Sequence, residues 1–349
     1  MHQSISQQRW TRRHALWLMT GALAGGGLHA CTQASSQSGG IKPGNLVQAT
    51  LGVPTWIGLT PMLVALEKQF FQKQGLDLRL RTFSTMADAF PAFLTGQLEA
   101  AAPVTAEAVL LASQGADFRI VLVEDTSTGA DAVLARNSIT DIADFKGKRI
   151  AVQKGGVGHY FVMQVLAEAG LSEKDVTIVD ATLETTAAAY EAGNVDIAYL
   201  YSPYLEKAAA AQPDGRIIYD SSKMPTAIAD VYAFNSEFIK THPEAVQAFV
   251  DGVLEGLDLV KNKPNEALPI AAKQIDLSSE ELKKQLNGIR LVDLQTNLEM
   301  LANPQSDAYL LKRLNTIAKF LKDQEQIATL PDLSNLIDPQ FIQAASRNT

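Results

Sequence analysis

The feature that most constrains the fold is an alternation of short β-rich runs with amphipathic helical runs, which begins at residue 46. Residues 46–52 have the composition of a strand, and 60–73 predict a helix because Leu63, Leu66 and Phe70 fall on one face. Further strands are predicted at 76–83, 99–102, 120–123, 149–153, 176–179, 196–200 and 228–234, and helices at 87–94, 105–113, 160–169, 185–192 and 203–211. The alternation of strands and helices along the chain predicts an α/β fold whose parallel sheets are covered by helices.

Two segments of this pattern repeat each other. Gly96 and Gly193 each close a predicted helix, an acidic residue follows three positions later, and small apolar residues and a proline come next. The repetition indicates two similar α/β lobes in tandem, with a chance match as the alternative. Beyond 234 the pattern is helical, over 243–261, 265–274, 278–286, 294–301 and 308–323. We expect this helical region to pack back on the first lobe, which makes that lobe discontinuous.

The amino-terminal residues have the parts of an export signal. Arg9, Arg12 and Arg13 precede an apolar segment at 15–28, and Cys31 follows two residues after His29. The apolar segment is shorter than the roughly 20 residues that a membrane span needs. We therefore predict that the protein is exported, by either the general or the twin-arginine route, and that residues 1–30 are then removed.

Cys31 is the only cysteine of the chain, and its surroundings resemble a bacterial lipobox. The resemblance implies that Cys31 is lipidated and anchors the protein to a membrane; a plain secretory signal with a leftover cysteine is the alternative. Residues 31–44 are rich in Ser, Gln and Gly and predict a flexible tether.

The charge of the chain excludes one class of partner. The first 30 residues hold three of the 30 basic residues and none of the 38 acidic ones, which leaves a net charge of −11 (27 against 38). Nucleic acids bind through basic surfaces, so we expect no nucleic-acid partner.

Several segments together resemble the periplasmic substrate-binding proteins of nitrate/sulfonate/taurine-type ABC importers. The matching pieces are TWIGLTPMLVALEKQFFQKQGLDLRL at 55–80, FLTGQLEAA at 93–101, VLVEDTSTGADAVLAR at 121–136, DFKGKRIAVQKGGVGHYFVMQVLAEAGLSEKDV at 144–176 and EAGNVDIAYLYSPYLEKA at 191–208. The resemblance implies a two-lobed type II periplasmic-binding-protein fold, with a small solute bound between the lobes. It places lobe 1 at 45–131 plus 235–349, lobe 2 at 136–230, and hinge crossovers at 131–136 and 230–235.

The resemblance also implies how such a protein works. It would be a periplasmic monomer, held by its lipid anchor, that delivers a solute to an ABC permease in the cytoplasmic membrane. No cofactor, metal or catalytic residue is expected.

Six residues are candidates for ligand contact, each with a structural alternative. Trp56 follows the first strand and offers a ring for stacking, or it belongs to the core. Gly156 lies in a glycine-rich turn before a helix, where backbone N–H groups suit an anionic or polar group; the alternative is a simple tight turn. His159, in the same segment, either donates a hydrogen bond to the ligand or caps the helix.

The other three candidates lie near the crossovers. Asp131 either faces the cleft or braces the hinge by accepting backbone hydrogen bonds, and Asp230 opens the returning crossover. Tyr201 either faces the cleft or packs within its lobe, and Tyr204 is left undecided. These positions, with Glu124 and Asp125, concentrate negative charge, and Lys154 is the one basic residue among them.

The main functional hypothesis is a solute receptor of an ABC importer that captures a small nitrogen-containing, possibly cationic solute, such as a guanidinium or an amine. The alternative ligand is a small anion, namely a sulfonate, taurine or nitrate. A same-fold enzyme of the pyrimidine-synthesis type is disfavoured, because residues 32–349 contain no cysteine and only two distant histidines. A periplasmic sensor role stays open.

We predict that protein purified from a bacterial membrane fraction lacks residues 1–30 and carries lipid on Cys31. Intact mass measures both changes, and Cys31→Ser should release the protein in soluble form because the acyl chains are its anchor. A mature protein that still begins at Met1 would contradict the export signal.

Overall fold

The computed structural model describes residues 46–224 and 227–347. The predicted export signal at 1–30, the tether at 31–44 and the lipidation site Cys31 lie outside the described residues. The described residues belong to one compact unit.

The described strands form two sheets. In chain order the strands are β1 (Val47–Val53), β2 (Leu76–Thr82), β3 (Ala100–Ala101), β4 (Phe118–Ser127), β5 (Asp131–Ala135), β6 (Arg149–Ala151), β7 (Thr177–Val179), β8 (Ile197–Tyr201), β9 (Arg216–Asp220), β10 (Ala229–Asn235) and β11 (Ile289–Leu291). The first sheet has the order β11-β4-β10-β3-β1-β2, and the second has the order β7-β6-β8-β5-β9.

The described helices cover these sheets and form the carboxy-terminal part of the chain. They are α1 (Thr60–Glu67), α2 (Phe70–Lys73), α3 (Met86–Leu94), α4 (Thr105–Ser113), α5 (Val157–Glu168), α6 (Leu183–Glu191), α7 (Tyr204–Ala211), α8 (Ser236–Thr241), α9 (Pro243–Asn262), α10 (Pro264–Gln274), α11 (Ser279–Gln285), α12 (Leu294–Asn297), α13 (Leu310–Asp323) and α14 (Gln340–Ala345). Over 46–224 and 227–347, no helix has the length and apolar character that a membrane crossing requires.

The prediction of purely parallel sheets is wrong. Strands β1, β2 and β3 are parallel, as are β6, β7 and β8, but β10 runs antiparallel to β3 and β4, and β5 runs antiparallel to β8 and β9. The physical reason is that β5 and β10 enter their sheets from the other sheet rather than through a helical crossover. Strands β5, β9 and β11 were not predicted as strands, and the predicted helix at 60–73 is interrupted at Gln69, which has a φ of 59°.

The chain passes between the sheets at 128–130 and again between β9 and β10, each time just before a predicted crossover. One side chain joins the two passages: Ser221 Oγ lies 2.7 Å from Ser127 Oγ and accepts a hydrogen bond from the Gly129 N–H at 2.7 Å. Gly129 has a φ of 139°, a conformation that favours glycine. The predicted lobe boundaries and the hinge motion at 131–136 and 230–235 stay predictions.

The helical carboxy-terminal region packs on the first sheet through α9. On this helix Phe249 stacks on Phe71 of α2, with ring centroids 5.5 Å apart, and meets Tyr232 of β10 edge-on at 4.9 Å. Gly256 faces α1 so closely that a Cβ there would lie 2.1 Å from the Pro61 carbonyl oxygen. The absence of a side chain at Gly256 therefore sets the distance between the two helices.

We predict that Gly256→Ala lowers the free energy of unfolding by about 1–3 kcal/mol, the usual cost of overpacking a core. The obstructing atom belongs to the backbone of α1, so no side-chain rotation relieves the clash. Urea unfolding measures the effect, and Glu255→Ala, at the exposed neighbouring position, is the matched control. Equal stability of the two variants would contradict this account of the α1–α9 contact.

Candidate ligand site

A cavity lies where the two sheets face each other. Its walls combine residues that follow strands of the first sheet with residues of β5, α5 and β8 on the second side. The lining residues are Pro54, Trp56, Thr85, Met86, Ala102, Val104, Glu107, Asp131, Val157, Tyr201, Ile228 and Asp230. Four of the six predicted contact residues, Trp56, Asp131, Tyr201 and Asp230, are thus brought together at one cavity.

Trp56 combines both interpretations of the sequence, because it lines the cavity and is also only 4% exposed. Its indole Nε1 donates to Asp125 Oδ2 at 2.9 Å, and its ring meets the ring of Tyr201 edge-on at 5.6 Å. Gly58 makes room for this arrangement, since a Cβ there would lie 1.8 Å from Asp125 Oδ2. Trp56 and Tyr201 therefore form an aromatic wall that spans the two sides of the cavity.

Strand register explains why carboxylates gather at this cavity. Asp230 on β10 lies opposite Asp125 on β4, and Asp131 on β5 lies opposite Tyr201 on β8. An isolated bridge between Asp230 and Val104 brings the start of α4 to the same place. Positions that are far apart in sequence thus meet where the chain passes from one sheet to the other.

Asp131 and Asp230 each present a carboxylate oxygen that the described protein atoms leave unsatisfied. Asp131 Oδ1 accepts a hydrogen bond from the Tyr199 hydroxyl, whereas Oδ2 of Asp131 and Oδ2 of Asp230 have no partner in good hydrogen-bonding geometry among the described residues. Ser127 lies near Asp131 and Asp125 lies near Asp230, and side-chain hydrogen bonding within these two pairs offsets part of the rise that burial causes in the pKa of Asp131 and of Asp125. Both side chains are buried, at 2% and 6% exposure. Since buried polar groups are normally hydrogen-bonded, these oxygens are suited to a donor supplied by a ligand.

Sequence analysis did not select Glu107, which is the third carboxylate of the cavity. Glu107 is the third residue of α4, and its Oε2 accepts a hydrogen bond from the Val104 N–H at 3.1 Å. Its Oε1 accepts from the N–H of Val157, the first residue of α5, also at 3.1 Å. The sequence signal was a glutamate at the first turn of a helix that is otherwise apolar, but the same pattern is typical of an ordinary helix cap.

Burial weakens the acidity of these groups, because it disfavours the charged form. Burial raises the pKa of Asp131 to about 6 and the pKa of Glu107 to about 7. The pKa of Asp230 lies well above its usual range, first through burial and then through the charges of Asp125 and Glu124. A positively charged group in the cavity would offset this repulsion.

The glycine-rich turn lies beside the cavity and is already occupied by protein groups. Gly156 lines an adjoining cavity of about 260 Å³, together with Val157 and Tyr201. The N–H at the start of α5, predicted as a donor to an anion, is bonded to Glu107. The first N–H of this helix therefore serves an internal carboxylate.

His159 lies behind the turn and is not among the cavity-lining residues. Its Nε2 is 3.2 Å from Glu173 Oε2, and its Nδ1 accepts a hydrogen bond from the Gly155 N–H at 3.4 Å. Lys154 pairs with the same glutamate at 2.8 Å, outside the cavity. His159 thus contacts the turn before α5, and its position gives no support to direct ligand contact, which stays a prediction.

Tyr204 belongs to the rim between the two sides. Its hydroxyl donates to Glu184 Oε1 at 3.0 Å, and Ser84, near the start of α3, donates to Glu184 Oε2 at 2.7 Å. A second contact across the rim joins Gln153 to Asp88 at 2.9 Å. These polar contacts close the cavity from the outside.

The charged residues that line the cavity are all acidic, and none of the lining residues is Lys, Arg or His. Over 46–224 and 227–347, no group of three or more His, Cys, Asp and Glu side chains is arranged to hold a metal ion. The site thus offers carboxylates, two aromatic rings and apolar side chains to a small organic solute.

Two helix-covered β-sheets with a cavity between them define the periplasmic-binding-protein fold, and comparison with solved structures confirms this fold. The periplasmic aliphatic sulphonate binding protein SsuA from Escherichia coli matches with a TM-score of 0.69 and 18% identity, over 84% of this chain and 92% of that one. The desulfurization enzyme DSZB shares the fold, with a TM-score of 0.64 and 16% identity over 86% of this chain and 99% of that one.

The chain belongs to the NMT1/THI5 like family, whose model matches residues 56–267. A relative, the taurine-binding periplasmic protein of Escherichia coli (strain K12), is 24% identical over 289 residues, which are 79% of this chain and 87% of that protein. The putative aliphatic sulfonates-binding protein of the same organism is 25% identical over 77% of this chain and 86% of its own length. The predicted fold class and family are thereby confirmed.

We predict that Asp131→Asn gains stability relative to the wild type as the pH rises from about 4 to about 6. The folded wild type keeps the Asp131 proton up to about pH 6, whereas an unfolded aspartate releases it near 3.8. The folded state therefore binds more protons in this window, so its free energy of unfolding falls as the pH rises. The difference should reach roughly 3 kcal/mol at most, since a tenfold change in proton affinity is worth about 1.4 kcal/mol.

Urea unfolding of both proteins between about pH 4 and about pH 8 measures this difference. Glu67→Gln, at an exposed position on α1, is the control and should follow the wild type. Parallel stability curves for Asp131→Asn and the wild type would show that Asp131 is solvated in the folded protein.

Proposed function

We propose that this chain is the periplasmic solute-binding component of an ABC importer, which captures a small solute in the cavity between its sheets. Membership of the family supports the proposal, as do the names of the relatives, which are binding proteins for taurine and aliphatic sulfonates. The cavity is lined by residues of both halves of the molecule, the kind of place where small solutes bind. Solute release then involves hinge opening between the two sides, followed by transfer to a permease.

The relatives support the anion alternative of the sequence analysis better than its main hypothesis of a cationic solute. Both named relatives bind, by their names, compounds that carry a sulfonate group. We therefore propose a sulfonate of the taurine type as the ligand. Taurine combines a sulfonate with an ammonium group, and this second group distinguishes it from a simple alkanesulfonate.

The acidic lining is the observation that carries the choice of an amine-bearing sulfonate. Glu107, Asp131 and Asp230 line the cavity, and Oδ2 of Asp131 and Asp230 are unsatisfied by the described residues. An ammonium group supplies three N–H donors and a positive charge to such oxygens. A plain sulfonate would find no basic side chain there, because none of the residues that line the cavity is Lys, Arg or His.

Trp56 and Tyr201 complement this charge with an aromatic surface. An ammonium group close to the face of an aromatic ring gains cation–π attraction, and the short carbon linker of the ligand would pack on the same rings. Trp56 keeps its orientation because Asp125 accepts its indole hydrogen bond. The aromatic wall and the carboxylates therefore both favour the ammonium end of the ligand.

A simple cation such as guanidinium is the second candidate, and a specific observation favours it. The amino terminus of α5, the best anion site in the sequence, is bonded to Glu107 instead. A ligand without any anionic group would make use of the carboxylates alone.

A binding role is proposed over an enzymatic one, although a desulfurization enzyme shares the fold. The sequence has no cysteine after Cys31. His159 is tied to Glu173, and His242 precedes α9, away from the lining residues. The proposed protein binds its solute without changing it, and its lipid anchor at Cys31 holds it at the membrane.

We predict that taurine binds more tightly than ethanesulfonate, which has the same skeleton without the amine. Asp230→Asn should weaken taurine binding by about 10- to 100-fold, since a hydrogen bond to a charged group contributes about 1.5–3 kcal/mol. Isothermal titration with taurine, ethanesulfonate, ethylamine, guanidine and nitrate gives the affinities, with Glu67→Gln as the control variant.

Each outcome of this panel separates the candidates. Binding of guanidine or ethylamine in the absence of sulfonate binding would replace the taurine-type ligand by the simple cation. Equal Kd values for taurine and ethanesulfonate, both insensitive to Asp230→Asn, would contradict the role of the carboxylates.

A further inference from the structure

The carboxylate of Glu107 connects the two sides of the cavity. It belongs to α4, which follows β3 of the first sheet, and it accepts the N–H of Val157 at the start of α5, which follows β6 of the second sheet. The side chain is 1% exposed and lines the cavity. Contacts of the rim, such as Ser84 with Glu184, are exposed, whereas the hydrogen bond of Glu107 with Val157 is buried.

The amino terminus of α5 is a natural anion site. Its first N–H groups lack helical acceptors, and the helix dipole of these 12 residues favours negative charge at this end. Glu107 Oε1 supplies that charge from within the protein. A Cβ built on Gly156 would lie 3.6 Å from the same oxygen, so the carboxylate rests directly on the turn before the helix.

Glu107 therefore acts on ligand charge in two ways. A ligand anion finds the Val157 N–H already bonded to Glu107, and it meets the carboxyl groups of Glu107, Asp131 and Asp230 with no basic side chain beside them. A ligand amine finds an additional carboxylate at the cavity wall. Both effects come from one side chain, and both disfavour an anion that has no amine.

We infer that Glu107 determines the charge of the ligand that this cavity accepts, by filling the anion site at the start of α5 and presenting its own carboxylate to a ligand amine. The inference rests on the proposed function, since it assumes that the cavity binds a small solute. It makes Glu107 a specificity-determining residue, and it extends the site beyond the residues that sequence analysis selected.

The test compares E107A and E107Q with the wild type, with taurine, ethanesulfonate and inorganic sulfate as probes. We expect the ratio of the ethanesulfonate Kd to the taurine Kd to be at least about 10 in the wild type. In E107A this ratio should fall by at least about tenfold, because taurine loses a carboxylate while anions gain the free N–H groups of Val104 and Val157. E107A should also bind sulfate, which the wild type should not.

E107Q separates charge from hydrogen bonding. Its amide oxygen still accepts one of the two N–H groups, so it should lose taurine affinity as E107A does but gain less affinity for sulfate. D131N is the matched control: it removes a cavity carboxylate and leaves Val104 and Val157 bonded to Glu107. It should weaken taurine binding without creating sulfate binding. Far-UV circular dichroism verifies that each variant is folded.

The inference is overturned if E107A and E107Q keep the ligand preference of the wild type, or if D131N gains sulfate binding as E107A does. The proposed function fails separately, if neither taurine nor ethanesulfonate binds the wild type. In that case sulfate binding by E107A, absent from the wild type and from D131N, still supports the role of Glu107 at the start of α5.

Discussion

The structure is organised around the burial of carboxylates where the chain passes between its two sheets. Asp131, Asp230 and Glu107 are withdrawn from water, and no basic side chain among the cavity-lining residues compensates them. Burying unpaired charge is costly, so the groups respond with raised pKa values and with the few donors that reach them, such as the Tyr199 hydroxyl. A fold that keeps such a cluster gains most from a ligand that brings positive charge to it.

The topology explains how this cluster forms. The chain crosses from one sheet to the other just before β5 and again just before β10, and each of these strands runs antiparallel to neighbours in its own sheet. Their first residues therefore lie at the boundary between the halves, and two of those residues, Asp131 and Asp230, are acidic. Ser221 fastens the two passages to each other, so the carboxylates are held close to the place about which the halves would move. The buried carboxylates and the proposed hinge motion thus lie at the same place, where the chain passes between the sheets.

Much of the fold and part of the site follow from local pattern. Helix α4 and strand β2 match their predicted ranges within one residue, because apolar spacing and flanking glycines are local signals. Trp56 was identified as a site residue because a bulky ring after a first strand is conspicuous. Glu107 was missed, since a glutamate in the first turn of a helix ordinarily caps that helix. The contact of His159 with Glu173 could not be foreseen, because Glu173 lies in a separate turn whose position depends on tertiary packing.

The sequence by itself determined the alternating α/β architecture, the helical carboxy-terminal region, the acidic charge of the chain and four of the residues that line the cavity, since these follow from composition and from patterns within single elements. Only the tertiary structure decided that the sheets are mixed and that Glu107 bonds to the start of α5. It likewise decided that the cavity lining contains carboxylates without a basic partner. The physical reason is that strand order, cross-strand register and the meeting of two helix termini depend on contacts between distant segments, which no local pattern encodes.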